Sequence, residues 1–380
     1  MTSDVIIVGS GPAGISTALH LVKYSPELVD RILVIECQKH PRPKPCAGGI
    51  LNDGKYILKK LGLGYPDIPL VKVKKAYFLY EGRGICIESH PESFVVINRE
   101  EFDAWLVNEA HKQGIKIIEE TKVLQVETDS RGVKVKTDKG DYFSRIVVGA
   151  DGANSIVRRS ITGNSNSCQS FALEIYLEPA EYQELPGESS DSAIFDYSII
   201  KENVQGYIWQ FPVQNNGELA WTRGIYHARV FPDRLSRSLK EILGKQLLRE
   251  NLNINNYEIK GHPIRFFDPQ NTFSVPGVIL VGDAAGVDPV FGEGISFALG
   301  YGKLAAQEIK EALLKEDYSF TGYKSRLLQH PMGICLKRRL RVAHFLYKYQ
   351  NRIVQRILWW CMAAILKKYI ENSLLGWAER

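Results

Sequence analysis

The chain has 380 residues, 44% hydrophobic and 24% charged, an ordinary globular balance that excludes a disordered protein and allows two subdomains over a sizeable core. Its six cysteines (Cys37, Cys46, Cys86, Cys168, Cys335 and Cys361) include no Cys-x-x-Cys pair, so neither a metal site nor a disulfide framework is expected. The net charge of +5 is uneven: residues 318–370 carry eleven Lys or Arg and no acid, leaving residues 1–317 at about −5, which argues against a nucleic-acid-binding body and for a local anionic surface.

In chain order, residues 4–9 read as a buried parallel strand that leaves no room for a secretory apolar segment, so a cytosolic start is expected. Helical spacing over 12–24, a second buried strand over 31–36 and a Pro- and Gly-rich loop over 37–55 follow. An amphipathic helix is predicted over 99–113, alternating strands over 115–138 and a buried strand over 145–150. From 168 to 266 short Tyr-, Ile- and Trp-rich runs between polar turns predict a mostly antiparallel sheet inserted into the first domain. The first domain resumes with a strand at 277–282 and a long helix after Gly292, and residues 320–376 read as helical. The predicted division is therefore 1–167 with 267–319 as a discontinuous nucleotide domain, 168–266 as a substrate sheet, and 320–380 as a basic helical region.

Gly9-Ser10-Gly11-Pro12-Ala13-Gly14 is a Gly-x-Gly-x-x-Gly string that closes a strand and opens a helix. A second strand ends in Glu36, whose carboxylate is placed to accept the hydroxyls of an adenosine ribose. The glycines admit a pyrophosphate to the helix N-terminus, and Ala13 lies in the same turn. There is no second complete string of this kind, so a separate nicotinamide Rossmann domain is absent.

The runs Val148-Gly149-Ala150-Asp151-Gly152 and Val281-Gly282-Asp283-Ala284 resemble the Asp-Gly and Gly-Asp motifs of the flavoprotein hydroxylase and reductase superfamily, in the right order over about the first 310 residues. The resemblance implies a glutathione-reductase-like α/β fold that binds FAD, with Asp283 at the ribityl and pyrophosphate region and Val123 among the contacts. It also places Gly294 and Ile295, at a helix start, beside the electron-rich edge of the flavin. Ile97-Asn98-Arg99 is similar to the superfamily's flavin-contacting arginine, with an exposed helix-start arginine as the plain alternative.

Pro45-Cys46-Ala47-Gly48-Gly49 and Tyr207-Ile208-Trp209-Gln210-Phe211-Pro212 resemble the Cys-x-Gly-Gly and Tyr-x-Trp-x-Phe-Pro motifs of geranylgeranyl reductases, which saturate double bonds in prenyl chains. On a strand, Tyr207, Trp209 and Phe211 share one face, an aromatic wall for an apolar substrate or else an ordinary core stripe. Val204 and Val213 depart from the family pattern and bear on which substrate is taken. The resemblance implies hydride from reduced flavin plus a proton, from Cys46, Tyr207 or a water, with Cys46 placed first and Tyr207, Trp209, Phe211 and Pro212 against the substrate. Cys46, Ala47, Gly48 and Gly49 would lie beside the flavin, the glycines for close backbone approach. NADPH or reduced ferredoxin is the implied electron donor.

Three alternatives share the FAD motifs: a monooxygenase, a halogenase (whose Trp-x-Trp-x-Ile-Pro motif is a near neighbour) and a flavin electron carrier. The basic stretch Lys337-Arg338-Arg339-Leu340-Arg341 precedes a ten-residue apolar run, Ile357 to Leu366, too short to span a bilayer. It suits either a peripheral membrane contact or a lid with Trp359 and Trp360 packed inside and the basic residues solvated.

Overall fold

Val5, Ile6, Ile7 and Val8 are apolar on both sides of the strand, as the centre of a covered parallel sheet requires. In the computed structural model, which describes residues 2–378 apart from 164–167, 182–188, 216, 233, 235, 236 and 375, Thr2–Val8 pairs in parallel with Ile32–Ile35 and with Gly140–Gly149. Lys116–Ile118 and Val278–Leu280 extend the parallel set, and Val123–Asp129 with Gly132–Thr137 forms an antiparallel extension on Gly140–Gly149. Helix Pro12–Tyr24 packs closely on the long helix Ile295–Lys315. A Cβ on Gly302 would come within 2.6 Å of Ser16, and the Ser16 hydroxyl donates to the Leu299 carbonyl at 2.7 Å. The fold is the α/β nucleotide-binding architecture that the N-terminal fingerprint predicts.

Residues 37–55, expected as loop throughout, are partly ordered: Gly49–Ile50 pairs with Phe94–Ile97, and helix Asn52–Leu61 begins inside the span. Tertiary contact overrides the local signal there, because Gly54 lets the helix lie close to Ile50 and Ser296.

The second sheet has seven strands, ordered Lys260–Arg265, Gln169–Leu177, Glu218–His227, Gly206–Asn215, Ser192–Asp196, Lys75–Tyr80 and Arg83–Glu88. The first five lie within 168–266 as expected, and the last two come from the span assigned to the nucleotide domain. Lys75–Tyr80 joins Ser192–Asp196 in parallel, the one parallel pairing in an otherwise antiparallel sheet. Phe78 and Phe195 are opposite in that register, their rings stacked at 4.6 Å. The alternate burial of Ala76, Phe78 and Tyr80 explains why this segment leaves the first domain for the second sheet.

Beyond residue 320 the chain is helical, as expected: Tyr323–Gln329, Pro331–Lys348, Arg352–Arg356, a π-helical turn Ile357–Cys361, and Ala363–Leu374. The inner side of these helices supplies Ala343, Leu346, Tyr347, Trp359 and Ile370 to the core that holds Tyr207, Trp209 and Phe211. Arg339 is the exception to a solvated basic run: it is buried, and its Nη1 lies 2.6 Å from Asp288 Oδ2. The guanidinium also lies over the rings of Phe291 and Phe297, at 5.2 and 5.1 Å. Replacing Arg339 with Met strands a buried carboxylate, a loss of about 3–5 kcal/mol. It should appear as a clear fall in thermal midpoint, partly recovered by adding Asp288→Asn.

Candidate active site

Between the two sheets lies a cavity of about 570 Å³. On the parallel-sheet side its wall begins at the turn after Thr2–Val8. Gly9 has φ +103, and a Cβ there would meet the Ala150 carbonyl oxygen at 2.5 Å, so only glycine closes the turn. A Cβ on Gly14 would fall 1.9 Å from the Gly9 carbonyl oxygen; this glycine seats the helix and does not line the cavity. Gly11 differs, for a Cβ there would meet only an Arg42 nitrogen, at 3.8 Å, leaving room above the helix start for a ligand group.

Glu36 is buried at the end of its strand, accepting from the Ser10 amide at 2.9 Å and the Ser10 hydroxyl at 2.8 Å. Burial works to raise its pKa, but Arg42 and the hydrogen bonds outweigh it and hold the carboxyl below the usual range, so Glu36 is an anion with lone pairs to offer. Asp151 caps the helix Ile156–Thr162 through the Ile156 and Val157 amides, at 2.7 and 3.1 Å, while its Oδ1 is buried without a protein partner. Val123 and Asp283 also line the cavity. Gly282, at φ +58, brings the turn of Asp283 against Ala13, where a Cβ would lie 2.7 Å from the Ala13 Cβ. Burial pushes Asp283 up, opposed by Lys44 and Arg99.

Arg99 is not an exposed helix-start residue. It is buried and forks onto Asp103 at 2.9 and 3.0 Å, and Arg42 approaches the same carboxylate at 3.3 Å. Both arginines face the cavity. Gly294 and Ile295 line it where the long helix begins, with the Ser296 amide donating to Glu293 Oε1 at 2.7 Å.

Cys46, Ala47, Gly48 and Gly49 form the rim between the two halves. Gly48 has φ +78, and a Cβ there would meet the Ile97 carbonyl oxygen at 2.0 Å, so its glycine is required first by its neighbouring strand. The Cys46 amide donates to Glu174 Oε1 at 2.9 Å. Burial pushes the Cys46 thiol up against the opposing pull of nearby Arg99, and the raised pKa keeps the thiol protonated at neutral pH. Burial likewise raises Glu174 to about 7. Lys44 Nζ lies 2.6 Å from His262 Nε2; burial lowers these groups to about 8 and about 3, so a charged lysine donates to a neutral imidazole.

The far wall is aromatic. Tyr207, Trp209 and Phe211 point from one face of Gly206–Asn215 into the cavity, joined by Phe78, Phe94, Phe195 and Phe291. Pro212 lies on the opposite face of that strand, paired with Trp221, and does not line the cavity. The Tyr207 hydroxyl donates to the Phe291 carbonyl, fixing its ring. Trp209 faces Gly224 on the next strand, where a Cβ would come within 2.2 Å of the indole.

The residues fit a flavin dinucleotide: an acidic group for a ribose, an open glycine turn and two arginines for phosphates, and two helix starts beside them. Residues 2–307 match the family described as FAD binding domain. A digeranylgeranylglycerophospholipid reductase of Methanococcoides burtonii is 30% identical over 83% of this chain and 77% of its own length. The chain belongs to the geranylgeranyl reductase family of FAD-dependent oxidoreductases. A geranylgeranyl bacteriochlorophyll reductase-like protein of Thermoplasma acidophilum shares its fold, with a TM-score of 0.73, 22% identity and coverage of 98% of this chain and 99% of that one. The fold extends to the halogenase PltM, with a TM-score of 0.71, 16% identity and coverage of 97% and 83%.

Sequence reasoning missed Arg42, Lys44, Glu174 and His262. Arg42 and Lys44 stand in the Pro-rich run before Cys46, where two basic residues between prolines were the available signal. Glu174 and His262 face one another's strands from 88 residues apart, and local spacing carries no trace of them. Changing Glu36 to Lys puts a cation beside Arg42 and removes the ribose acceptor. FAD retention, read from the flavin-to-protein absorbance ratio of folded protein, should fall about tenfold or more, the scale of one lost charge-assisted hydrogen bond.

Proposed function

We propose that this chain saturates isolated C=C bonds of a prenyl chain, with NADPH or reduced ferredoxin as the ultimate electron donor. The supporting observation is the meeting of Cys46 and Glu174 with a wall of aromatic rings in one cavity, an apolar sleeve opening onto a proton source. Reduced FAD would supply the hydride to one alkene carbon. The protein's part is to hold the chain, exclude water and deliver a proton to the other carbon.

Three donors stand near that position. The Tyr207 hydroxyl is committed to the Phe291 carbonyl, and burial raises its pKa far beyond the physiological range. The Cys46 thiol is protonated and faces the cavity, but its raised pKa makes it slow to give up a proton unaided. Glu174, raised to about 7 by burial, can carry a proton near neutral pH and accepts from the Cys46 backbone amide. In this reading Glu174 is the acid that supplies the cavity, and Cys46 is the group that meets the alkene. A basic form of Glu174 cannot donate, so turnover should fall as pH rises through about 7.

The aromatic wall binds through area and shape, with few polar groups to read a head group. Phe195 sits 5.0 Å from Phe211 and 5.2 Å from Tyr207, packed edge-on or tilted, so the wall is stiff. Such a surface suits a branched hydrocarbon better than a polar aromatic ring.

The direct test incubates dithionite-reduced holoprotein with geranylgeranyl diphosphate or prenylated lipids and weighs the products. Gain of two hydrogens per bond is expected; gain of one oxygen or a halogen would overturn the assignment. Glu174→Gln keeps an acceptor for the Cys46 amide and should retain flavin, lower turnover at least tenfold and flatten the loss of rate above pH 7. Cys46→Ala and Trp209→Ala should also keep flavin and lose turnover, with circular dichroism confirming the fold.

A further inference from the structure

We infer that the outer face of the C-terminal helices is a docking surface for an anionic lipid bilayer. Among the described residues thirteen large apolar side chains are exposed, and eight of them fall within residues 334–365. They are not scattered singly, as exposed apolar residues on a soluble surface usually are. On the helix Pro331–Lys348 the exposed positions Ile334, Arg338, Arg341, Phe345 and Lys348 recur every three or four residues, one continuous stripe. The opposite stripe, Met332, Leu336, Arg339, Ala343 and Leu346, is buried. The segment that follows repeats the division, with Gln355, Trp359 and Ile370 inside and Ile353, Val354, Ile357, Met362 and Ile365 outside. Ile353 and Ile365 are 68% and 66% exposed, more than a protein surface without a partner normally tolerates in a cluster.

Charge decides what covers this face. Residues 318–370 contain no acid; Asp288 holds Arg339, Glu81 holds Arg352 and Arg356, Glu308 and Glu311 hold Arg326, and Glu371, just past the span on the last helix, lies 3.9 Å from Lys367. Arg338, Arg341, Lys348 and Lys368 have no acidic partner among the described residues. Two copies of this chain meeting through a twofold axis would bring these like charges together, which disfavours a second copy as the occupant. An anionic membrane satisfies both halves of the surface, the aliphatic side chains entering the acyl boundary while the basic ones meet lipid phosphates. No helix among the described residues is long and apolar enough to cross a membrane, so the contact is in the plane.

The surface also lies close to the cavity. Trp359 packs on Tyr197 at 4.6 Å, and Tyr197 packs on Tyr207, which lines the cavity, at 5.2 Å. One ring, Tyr197, thus stands between the inward face of these helices and the cavity wall, although none of the described residues of the helices lines the cavity itself.

Co-sedimentation tests the docking without reference to turnover, so its outcome is independent of the reductase assignment. Full-length holoprotein should pellet with phosphatidylcholine vesicles containing phosphatidylglycerol at low salt, far less with phosphatidylcholine alone, and less again as salt screens the attraction. The triple variant Ile353→Ser, Ile357→Ser, Ile365→Ser should bind at least tenfold more weakly, with unchanged flavin absorbance and thermal midpoint. Arg338→Gln with Arg341→Gln and Lys348→Gln should lose the preference for anionic lipid. Wild-type protein that stays in the supernatant with anionic vesicles at low salt overturns the inference without any variant. Undiminished binding by the folded serine variant overturns it too, as does a solution dimer that this variant converts to monomer.

Discussion

Asp288 and Arg339 are both almost wholly removed from water, and the assembly of the cavity turns on their contact. Taking two such charges out of water costs several kcal/mol each, which the structure offsets by giving both ions further partners. Asp288 accepts from the Val290 and Phe291 amides at 2.8 and 3.2 Å, which shapes the loop carrying Phe291. The Phe291 carbonyl in turn receives the Tyr207 hydroxyl, and its ring lies under the Arg339 guanidinium. One ion pair thus ties the C-terminal helices, the loop before the long helix and the aromatic wall into a single unit. Because a carboxylate stranded at this position has no water to turn to, the pair specifies one seating of the C-terminal helices against the aromatic core.

The cavity is divided by chemistry. Toward the parallel sheet stand charges that compensate one another, Glu36 with Arg42 and Asp103 with both Arg42 and Arg99. Toward the seven-stranded sheet stand rings. At the boundary burial shifts Glu174 to about 7 and Lys44 to about 8, so both groups can change charge near neutral pH. The boundary is built by Cys46 to Gly49, and its position follows from Gly48, whose positive φ and tight approach to Ile97 leave that rim little freedom.

The nucleotide half was legible in the sequence because its determinants are local: a strand apolar on both faces, glycines that a tight turn demands, and a carboxylate at the next strand end. Tyr207, Trp209 and Phe211 were legible as one face because a strand alternates with a fixed period, and the same rule excludes Pro212 from the cavity. What sequence could not give depends on long-range pairing. Lys75–Tyr80 joins the second sheet through Phe78 against Phe195, partners more than a hundred residues apart. Arg339 sits in a run of basic residues that reads as solvated, yet helical periodicity turns it inward to an acid 51 residues away. Glu174 and His262, at the boundary of the cavity, come from strands whose adjacency no local pattern states.

Gly224 contributes nothing to the cavity surface, yet it sets where one of the cavity's rings can lie. It lies opposite Trp209, and the indole rests over the space that its missing side chain leaves. A Cβ there would stand 2.2 Å from the indole and 2.3 Å from the Leu173 carbonyl oxygen of the neighbouring strand, so neither the ring nor the strand pairing leaves room for one. The position of a ring that lines the cavity is therefore set from behind the wall, by a residue that never touches the cavity's contents.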